Sequence, residues 1–515
     1  MQYALAIDQG TSGSKALVFD SQGNTIVHAT APLRSFYRDE GFVEQDPQEI
    51  LDSVLQAVSL AMDRFLGLGY AQTQIATVGI SNQRESFLLW DRAGNPLSPV
   101  VVWQCKRSLA ICRRMEAEGL GPAVSDASGL RIDPYFSGTK VTWLLEHDTS
   151  LQAACRSGEV YFGTIDTWLL YNLTNREVYK TDYSNASRTL FFNLDTLTWD
   201  ETLVKMLGAE GLRLPEVFPS AHTYGHSTFG GILAKAVPIN SMIGDSHSAC
   251  FGEGCFAPGT IKATMGTGSS VMMNTGSTRI RSKHGMVSTI CWSTSDRVDY
   301  ALEGVIVSCG STVNWFQDQL GLVADGADFD ALAASVPDSG NVVFLPAFSG
   351  LGGPHWQMDR QAEIVGITFG TTKAHMVRAA LESYPFQLKD VVSAMEQDIG
   401  RPVEWIKADG GMTKSRLTMR YIADLLETEL IIDKRKEASA FGTALLAFLQ
   451  QKVLSFSQIQ RLCSESPHDT YDFADNLGKS GYIKDKYHRW LEVVKKDRDA
   501  NVPKSKTGKD IGSAT

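Results

Sequence analysis

The stretch Ala4–Asp20, ALAIDQGTSGSKALVFD, constrains the fold more than any other. Ala4–Ile7 and Ala16–Phe19 are short apolar runs, and such runs bounded by turn residues read as strands. Between them Asp8-Gln9-Gly10-Thr11-Ser12-Gly13-Ser14-Lys15 carries two glycines, which permit a sharp turn and a close backbone approach. Successive N–H groups, the hydroxyls of Thr11, Ser12 and Ser14, and the charge of Lys15 make such a hairpin turn a cradle for phosphate. Asp8 ends the first strand with a carboxylate, to which Mg²⁺ can be bridged through water. An ordinary hairpin with a polar turn is the competing reading. The segment is neither a P-loop nor a GxGxxG turn, because no helix is expected directly after it.

A chain of 515 residues is too long for one core, so two or more domains are expected. Hydrophobic residues make up 43% and charged residues 21%, the profile of a soluble globular protein. The net charge of −10 argues against nucleic acid or an anionic membrane as the main partner. No apolar run reaches the length of a membrane span. The eight cysteines form no CxxC pair, and the chain opens into a strand without a signal peptide, so reduced thiols and a cytoplasmic location are expected.

Further along, Asp46 and Pro47 read as the cap and first residue of a helix through Phe65, with Ile50, Val54, Leu55, Val58 and Met62 on one apolar face. Ile75–Ile80 and Phe87–Trp90 read as strands flanking Ser81-Asn82-Gln83-Arg84-Glu85. Arg84 and Glu85 are either an exposed ion pair of little worth or groups that bind a polar ligand at a strand end. Trp103 and Tyr135 are either core aromatics or the wall of a sugar site. Ile132–Lys140 reads as a loop before a helix at Val141–Glu146, and Gly163–Leu173 as a capped helix. Asp182–Arg188 is a polar segment without an assigned element.

At Met242–Gly254 a strand ends at Gly244 and Asp245 opens a helix of small residues, Ser246, Ser248, Ala249, Cys250 and Gly252. Asp245 is either a helix cap or a general base at a cleft. A similar small-residue helix recurs at Ala438–Ala447, and two such helices that cross suggest a hinge. Ile261–Gly268 repeats the logic of the first hairpin through Gly266-Thr267-Gly268, and Ile406–Gly411 adds a glycine turn at Gly410 and Gly411. Gly310 and Asn314 lie in a helix at Cys309–Phe316 near that turn. This order is the pattern of an α/β chain with two ribonuclease-H-like, actin-type ATPase domains and a nucleotide cleft between them. The expected division is 1–250, 251–460 and a C-terminal extension 461–515 with a disordered tail from Asp497.

These runs resemble the FGGY family of carbohydrate kinases, most closely its glycerol kinase branch. The matching runs include DQGTSGSK at 8–15, SNQRE at 81–85, VVWQCKR at 101–107, IDPYFSGTK at 132–140, TDYSNASRT at 181–189, MGTG at 265–268, ALEG at 301–304, PAFSGLGGPHW at 346–356 and ADGGM at 408–412. The resemblance implies that Thr11, Ser12 and Gly13 hold nucleotide phosphates, with Lys15 where the branch usually has arginine. Gly266, Thr267, Gly310, Asn314, Gly410, Gly411 and Ser415 then fall at ATP-contact positions. Arg84, Glu85, Trp103, Tyr135 and Asp245 fall at polyol-site positions, with Asp245 the general base and Asp8 the carboxylate for Mg²⁺. The sequence departs from the branch at Ser246, usually glutamine, and at Ser270, usually aromatic. Both replacements are smaller, so the acceptor pocket is expected to be wider than glycerol needs. Pro385 falls inside an expected helix, whose interior it should disturb.

The expected activity is transfer of a phosphoryl group from ATP, with Mg²⁺, to a primary hydroxyl of a small polyol, glycerol first. A larger polyol or ketose is the alternative acceptor. A non-catalytic nucleotide-dependent sensor is the reading from another class, and it predicts loss of Asp8 or Asp245, both of which are present. The expected assembly is a homo-oligomer, a dimer or tetramer.

Overall fold

The computed structural model describes residues 2–38, 41–323, 328–357, 359–435, 437–473 and 481–496. Its frame is two sheets with one pairing scheme. In the first, Tyr3–Gly10 pairs antiparallel with Gly13–Asp20, which pairs antiparallel with Thr25–Pro32. On the other side of Tyr3–Gly10, Ile75–Asn82 and then Val237–Gly244 run parallel, and antiparallel Ala221–Ser227 closes the edge. The second sheet repeats this. Thr260–Met265 pairs antiparallel with Ser269–Gly276, which pairs antiparallel with Val298–Ile306. On its other side Trp405–Asp409 and Leu430–Asp433 run parallel, and antiparallel His468–Tyr471 closes the edge. Val287–Ser293 adds a further strand beside Val298–Ile306. The two-domain α/β architecture read from the paired hairpins is therefore present.

Each sheet is covered by helices whose patterning the sequence carries. Asp46 caps Pro47–Gly67 by accepting the N–H groups of Gln48 and Glu49, a cap worth about 1 kcal/mol. That helix lays Ile50, Val54, Val58 and Met62 into the first core, with Leu55 partly buried beside them. In the second domain the long helix Lys373–Ile399 runs straight through Pro385, contrary to expectation. Proline at 385 deprives the Leu381 carbonyl of its helical partner, and the Thr418 hydroxyl lies 3.5 Å from that oxygen.

Two helices of small residues cross between the sheets, Asp245–Gly252 and Ala438–Gln450. A Cβ on Gly442 would lie 1.8 Å from Ser248 O, and one on Gly252 would lie 2.6 Å from Ala438 O. The crossing thus requires glycine on both helices. Ala438–Gln450 packs on the first sheet, with Phe441 against Phe19 and the Thr443 hydroxyl donating to Ser241 Oγ at 3.0 Å. Cys250 of the other helix reaches Cys291 of the second sheet, with the sulfurs 3.4 Å apart. All eight cysteines are free and buried.

Three segments differ from the sequence reading. The helix expected at Val141–Glu146 begins at Ser137, because Ser137 and Thr139 are consumed in buried bonds to Glu85 O and Ser108 Oγ. Gly163–Leu173 is a strand end followed by a helix from Ile165, since Gly163 pairs with Leu88 in a smaller sheet. Asp182–Arg188 contains a short helix, Tyr183–Ala186, capped by Asp182. Helix Gly481–Lys495, within the segment set apart as an extension, is bound to the second domain. Its Trp490 and Tyr487 both donate to Asp390. The tail from Asp497 lies outside the described residues.

Candidate active site

The first hairpin turns at Thr11 and Ser12, in the cleft between the domains. Its glycines do not adopt the left-handed conformation. Gly13 is required by proximity instead, since a Cβ there would lie 2.6 Å from Ala31 O. Ser12 is exposed and Thr11, Gly13 and Lys15 are partly buried, so the turn faces solvent along one side. Ser14 is buried and bonded to Ser53, which removes it from the candidate cradle.

Lys15 and Asp8 stand side by side on the paired strands, 3.9 Å apart. Lys15 is also ion-paired to Glu437, the residue preceding the Ala438 helix, which holds a left-handed backbone. Burial alone would lower Lys15, but Asp8 and Glu437 outweigh it and raise its pKa. Asp8 accepts from Ser81 Oγ at 3.1 Å. Its own pKa is raised to about 6 by burial, with Asp245 and Glu437 adding repulsion against the attraction of Lys15. Asp245 and Glu437 thus lie near enough to Asp8 to repel its charge. No cluster of three metal-ligating side chains occurs among the described residues. A crowded carboxylate of this kind fits a hard cation held by one protein oxygen, with phosphate and water supplying the rest.

Across the cleft, the second hairpin, the helix Gly310–Asp318 and the Gly410 turn converge. Gly310 N and Ser311 N donate to the carbonyls of Gly266 and Thr267, at 2.9 and 3.1 Å. Gly410 adopts φ +97°, and a Cβ there would lie 2.5 Å from Met265 O. Gly411 borders open space, while Thr267 and Asn314 are exposed. Ser415 differs. Its hydroxyl caps the helix Arg416–Leu426 and donates to Asp330 Oδ1 at 2.6 Å.

The residues expected at acceptor positions form a buried charge network. Arg84 and Glu85 are nearly inaccessible and do not pair with each other. Arg84 Nη2 donates to Glu303 Oε1 at 2.8 Å, and its Nε lies 3.4 Å from Asp245 Oδ1. Glu85, in a left-handed conformation, accepts from Arg188 Nε at 2.6 Å. Arg188 Nη1 also contacts Glu303 Oε2 at 2.6 Å, while its Nη2 has no hydrogen-bond partner among the described residues. Burial would raise Glu303, but Arg188 and Arg84 outweigh it and hold its carboxyl well below the usual range. Burial and the neighbouring Arg84 push His247 well down, so its imidazole is neutral at pH 7. The exposed-pair reading of Arg84 and Glu85 therefore fails, because each charge has a separate buried partner.

Asp245 is the first helical residue rather than the cap, which is Gly244. Its side chain is 38% exposed, so it faces the cleft from a network otherwise closed to water. Trp103 and Tyr135 stand edge to face, 5.7 Å apart. Buried Lys140 ties this wall together, donating to Tyr135 O at 3.1 Å and Trp103 O at 3.4 Å, and burial lowers its pKa to about 8. Trp103 Nε1 donates to Thr11 Oγ1 at 3.0 Å, which joins the wall to the first hairpin. Ser246 is partly exposed, and Ser270 donates to Glu303 Oε1 at 2.8 Å.

Arg188, Glu303 and Lys140 lie within runs recognised in the sequence, yet no role was read for them. The signal was available for Glu303. It sits in Val298–Ile306, a strand buried on both faces around Ala301–Gly304, where an acid must be paired.

The chain matches the models of the FGGY family of carbohydrate kinases, N-terminal domain over residues 3–252 and C-terminal domain over 261–450. It is 41% identical over 469 residues to glycerol kinase 2 of Thermotoga maritima, covering 90% of this chain and 94% of that protein. It is 43% identical over 448 residues to the glycerol kinase of Symbiobacterium thermophilum, covering 87% and 89%. Among solved structures, Plasmodium falciparum glycerol kinase with ADP superposes with a TM-score of 0.87 at 32% identity, covering 96% of this chain and 98% of that one. A ligand-bound xylulose kinase from Lactobacillus acidophilus gives a TM-score of 0.84 at 21% identity, covering 97% and 98%, a likeness of fold.

Proposed function

Because this chain belongs to the FGGY family of carbohydrate kinases, we propose that it transfers the γ-phosphoryl group of ATP to a primary hydroxyl of glycerol, giving glycerol 3-phosphate. The observation that carries the reading is Asp245. It is a carboxylate open to the cleft, held beside Arg84 at the edge of a network that is otherwise buried.

In this reading Asp245 accepts the proton of the attacking hydroxyl, because an alcohol is a weak nucleophile until its proton has a place to go. Arg84 and Glu85 hydrogen-bond the substrate hydroxyls, and Trp103 and Tyr135 pack on its carbon edge. The Thr11–Gly13 turn and Lys15 hold the phosphates and meet the charge that builds on the transferring group. Gly266, Thr267, Gly310, Asn314, Gly410 and Gly411 take the remainder of the nucleotide. Ser415 shapes that region as a helix cap. Asp8 is the residue proposed to hold Mg²⁺, which when bound supplies charge neutralisation for the phosphates. Closure about the two crossing helices excludes water, which would otherwise take the phosphoryl group.

A second acceptor, a longer polyol or ketose, is favoured by one observation. Ser270 is a small, partly buried side chain whose hydroxyl is held by Glu303. His247 is buried and stands 3.3 Å from Arg84, and Trp103 is tied to Thr11, so each of these larger neighbours is held elsewhere. Measuring kcat/KM for ATP-dependent phosphorylation of glycerol, tetritols, pentitols and ketoses decides the matter. Glycerol ranking first supports the main reading, and a longer acceptor ranking first replaces it.

A further inference from the structure

Apart from the cleft, the outer face of the first domain holds a cavity of about 530 Å³ lined by Arg92, Tyr161, Tyr171, Arg176, Tyr179 and Arg213 with Leu214. That volume lies within the range of small-molecule sites, roughly 300–1,000 Å³. Three arginines with no acid among the lining residues is an unusual wall in a chain of net charge −10. None of the three is ion-paired to a carboxylate among the described residues, although most other arginines bordering the domain are. Asp91, the acid that influences Tyr171 from nearby, spends its carboxylate on the backbone N–H and amide of Asn95, at 2.9 and 2.8 Å.

Two of the three guanidinium groups are held in place. Arg176 is bonded to the Ala93 carbonyl, and Arg213 Nε donates to Gly158 O at 2.5 Å while its guanidinium lies 5.6 Å over the Tyr161 ring. Each keeps further N–H donors free, since a guanidinium has five. Arg92 makes no side-chain hydrogen bond among the described residues and contributes its backbone carbonyl to the Tyr171 hydroxyl. The hydroxyls of Tyr171 and Tyr179 are turned to the protein. Tyr179 Oη lies 2.7 Å from the carbonyls of both Phe162 and Arg213. Tyr171 is buried, so the ring surface left to a ligand is that of the partly exposed Tyr161 and Tyr179. Tyr161 and Tyr179 meet edge to face at 5.1 Å, with Trp90 behind them.

We propose that this cavity is a second, non-catalytic ligand site that binds a small phosphate ester, the phosphate on the arginines and a ring on the tyrosine faces. Paired N–H donors match phosphate oxygens, and ring packing adds apolar contact. The site is independent of the kinase reading. Its walls continue into the segments that carry Glu85 and Arg188, through Phe87–Trp90 and Lys180–Asp182.

Calorimetric titration of the full chain with phenyl phosphate, inorganic phosphate and phenol tests this, with glycerol and ADP saturating the cleft. Phenyl phosphate should show one saturable site, at least about tenfold tighter than inorganic phosphate, and phenol should show none. In Arg92→Glu that site should disappear, while kinase turnover stays at the wild-type value and reports intact folding. A second variant, Arg176→Lys, should weaken the site without abolishing it. Equal binding by wild type and Arg92→Glu, or no binding to wild type, overturns the proposal. Phenol binding as tightly as phenyl phosphate shows an apolar site and overturns it too. Inorganic phosphate binding as tightly as phenyl phosphate overturns the assignment of an ester.

Discussion

The Arg84 guanidinium lies 3.4 Å from Asp245 Oδ1 while its far nitrogen donates to Glu303 at 2.8 Å. One side chain thus links the open carboxylate of the cleft to a buried one. Arg84→Lys keeps the charge but cannot reach both. It should lower kcat/KM for the acceptor by about 10–100-fold, mostly through KM, because removing one arm of a buried charge pair typically costs 2–5 kcal/mol before the lysine recovers part of it. Steady-state kinetics check this, and an unchanged KM removes Arg84 from the acceptor site.

Asp8 should govern the acid limb of activity. Its pKa is raised to about 6, chiefly by burial, so the folded chain favours the protonated form. That contribution to stability is full at low pH and is lost as pH rises through about 6. The proposed role in holding Mg²⁺ needs the ionised form. Turnover should therefore fall as pH drops through about 6, and added Mg²⁺ should move the fall to lower pH by competing with the proton. Asp8→Asn should weaken Mg²⁺-dependent turnover with little effect on acceptor binding. A pH profile insensitive to Mg²⁺ concentration contradicts the assignment.

The glycine crossing should be intolerant of even one carbon. Gly442→Ala places a Cβ 1.8 Å from Ser248 O, and the helices must move apart. Overpacking of this kind costs about 1–3 kcal/mol, enough to lower Tm by several degrees. If the crossing also guides closure, kcat should fall further than the stability loss accounts for. Thermal melts and kinetics on one preparation separate the two effects.

Much of this was legible in the sequence because its elements are short and local. The two hairpins, the Asp46 cap and the two small-residue helices each carry their signal within about a dozen residues. The charge network was not legible. Arg84 finds Glu303, 219 residues away, and Glu85 finds Arg188, 103 residues away. Adjacent Arg84 and Glu85 suggested a pair, while folding gave each a separate partner. Pro385 misled for a related reason, since the hydroxyl near Leu381 O comes from another helix. Glu437 drew no attention because an acid before a helix is common, and only the fold brings it to Lys15.

The Ser270 site should set acceptor preference. Its hydroxyl bonds Glu303, at a position where the family resemblance implies an aromatic ring. Ser270→Phe should restore apolar contact and favour glycerol over longer acceptors, by an amount of about 1–3 kcal/mol in discrimination per methylene-sized fit. An unchanged ranking of acceptors shows that the space at Ser270 plays no part in selection.

The most direct test of the whole account is single-turnover phosphorylation of glycerol by Asp245→Asn. The variant removes the proposed proton acceptor and keeps the shape of the side chain. ATP binding should stay within a few-fold of wild type, and the transfer rate should fall by about 10²–10⁴-fold, the usual worth of a positioned base. A transfer rate within a few-fold of wild type would contradict Asp245 as the base and, with it, the mechanism built on the Arg84–Asp245 contact.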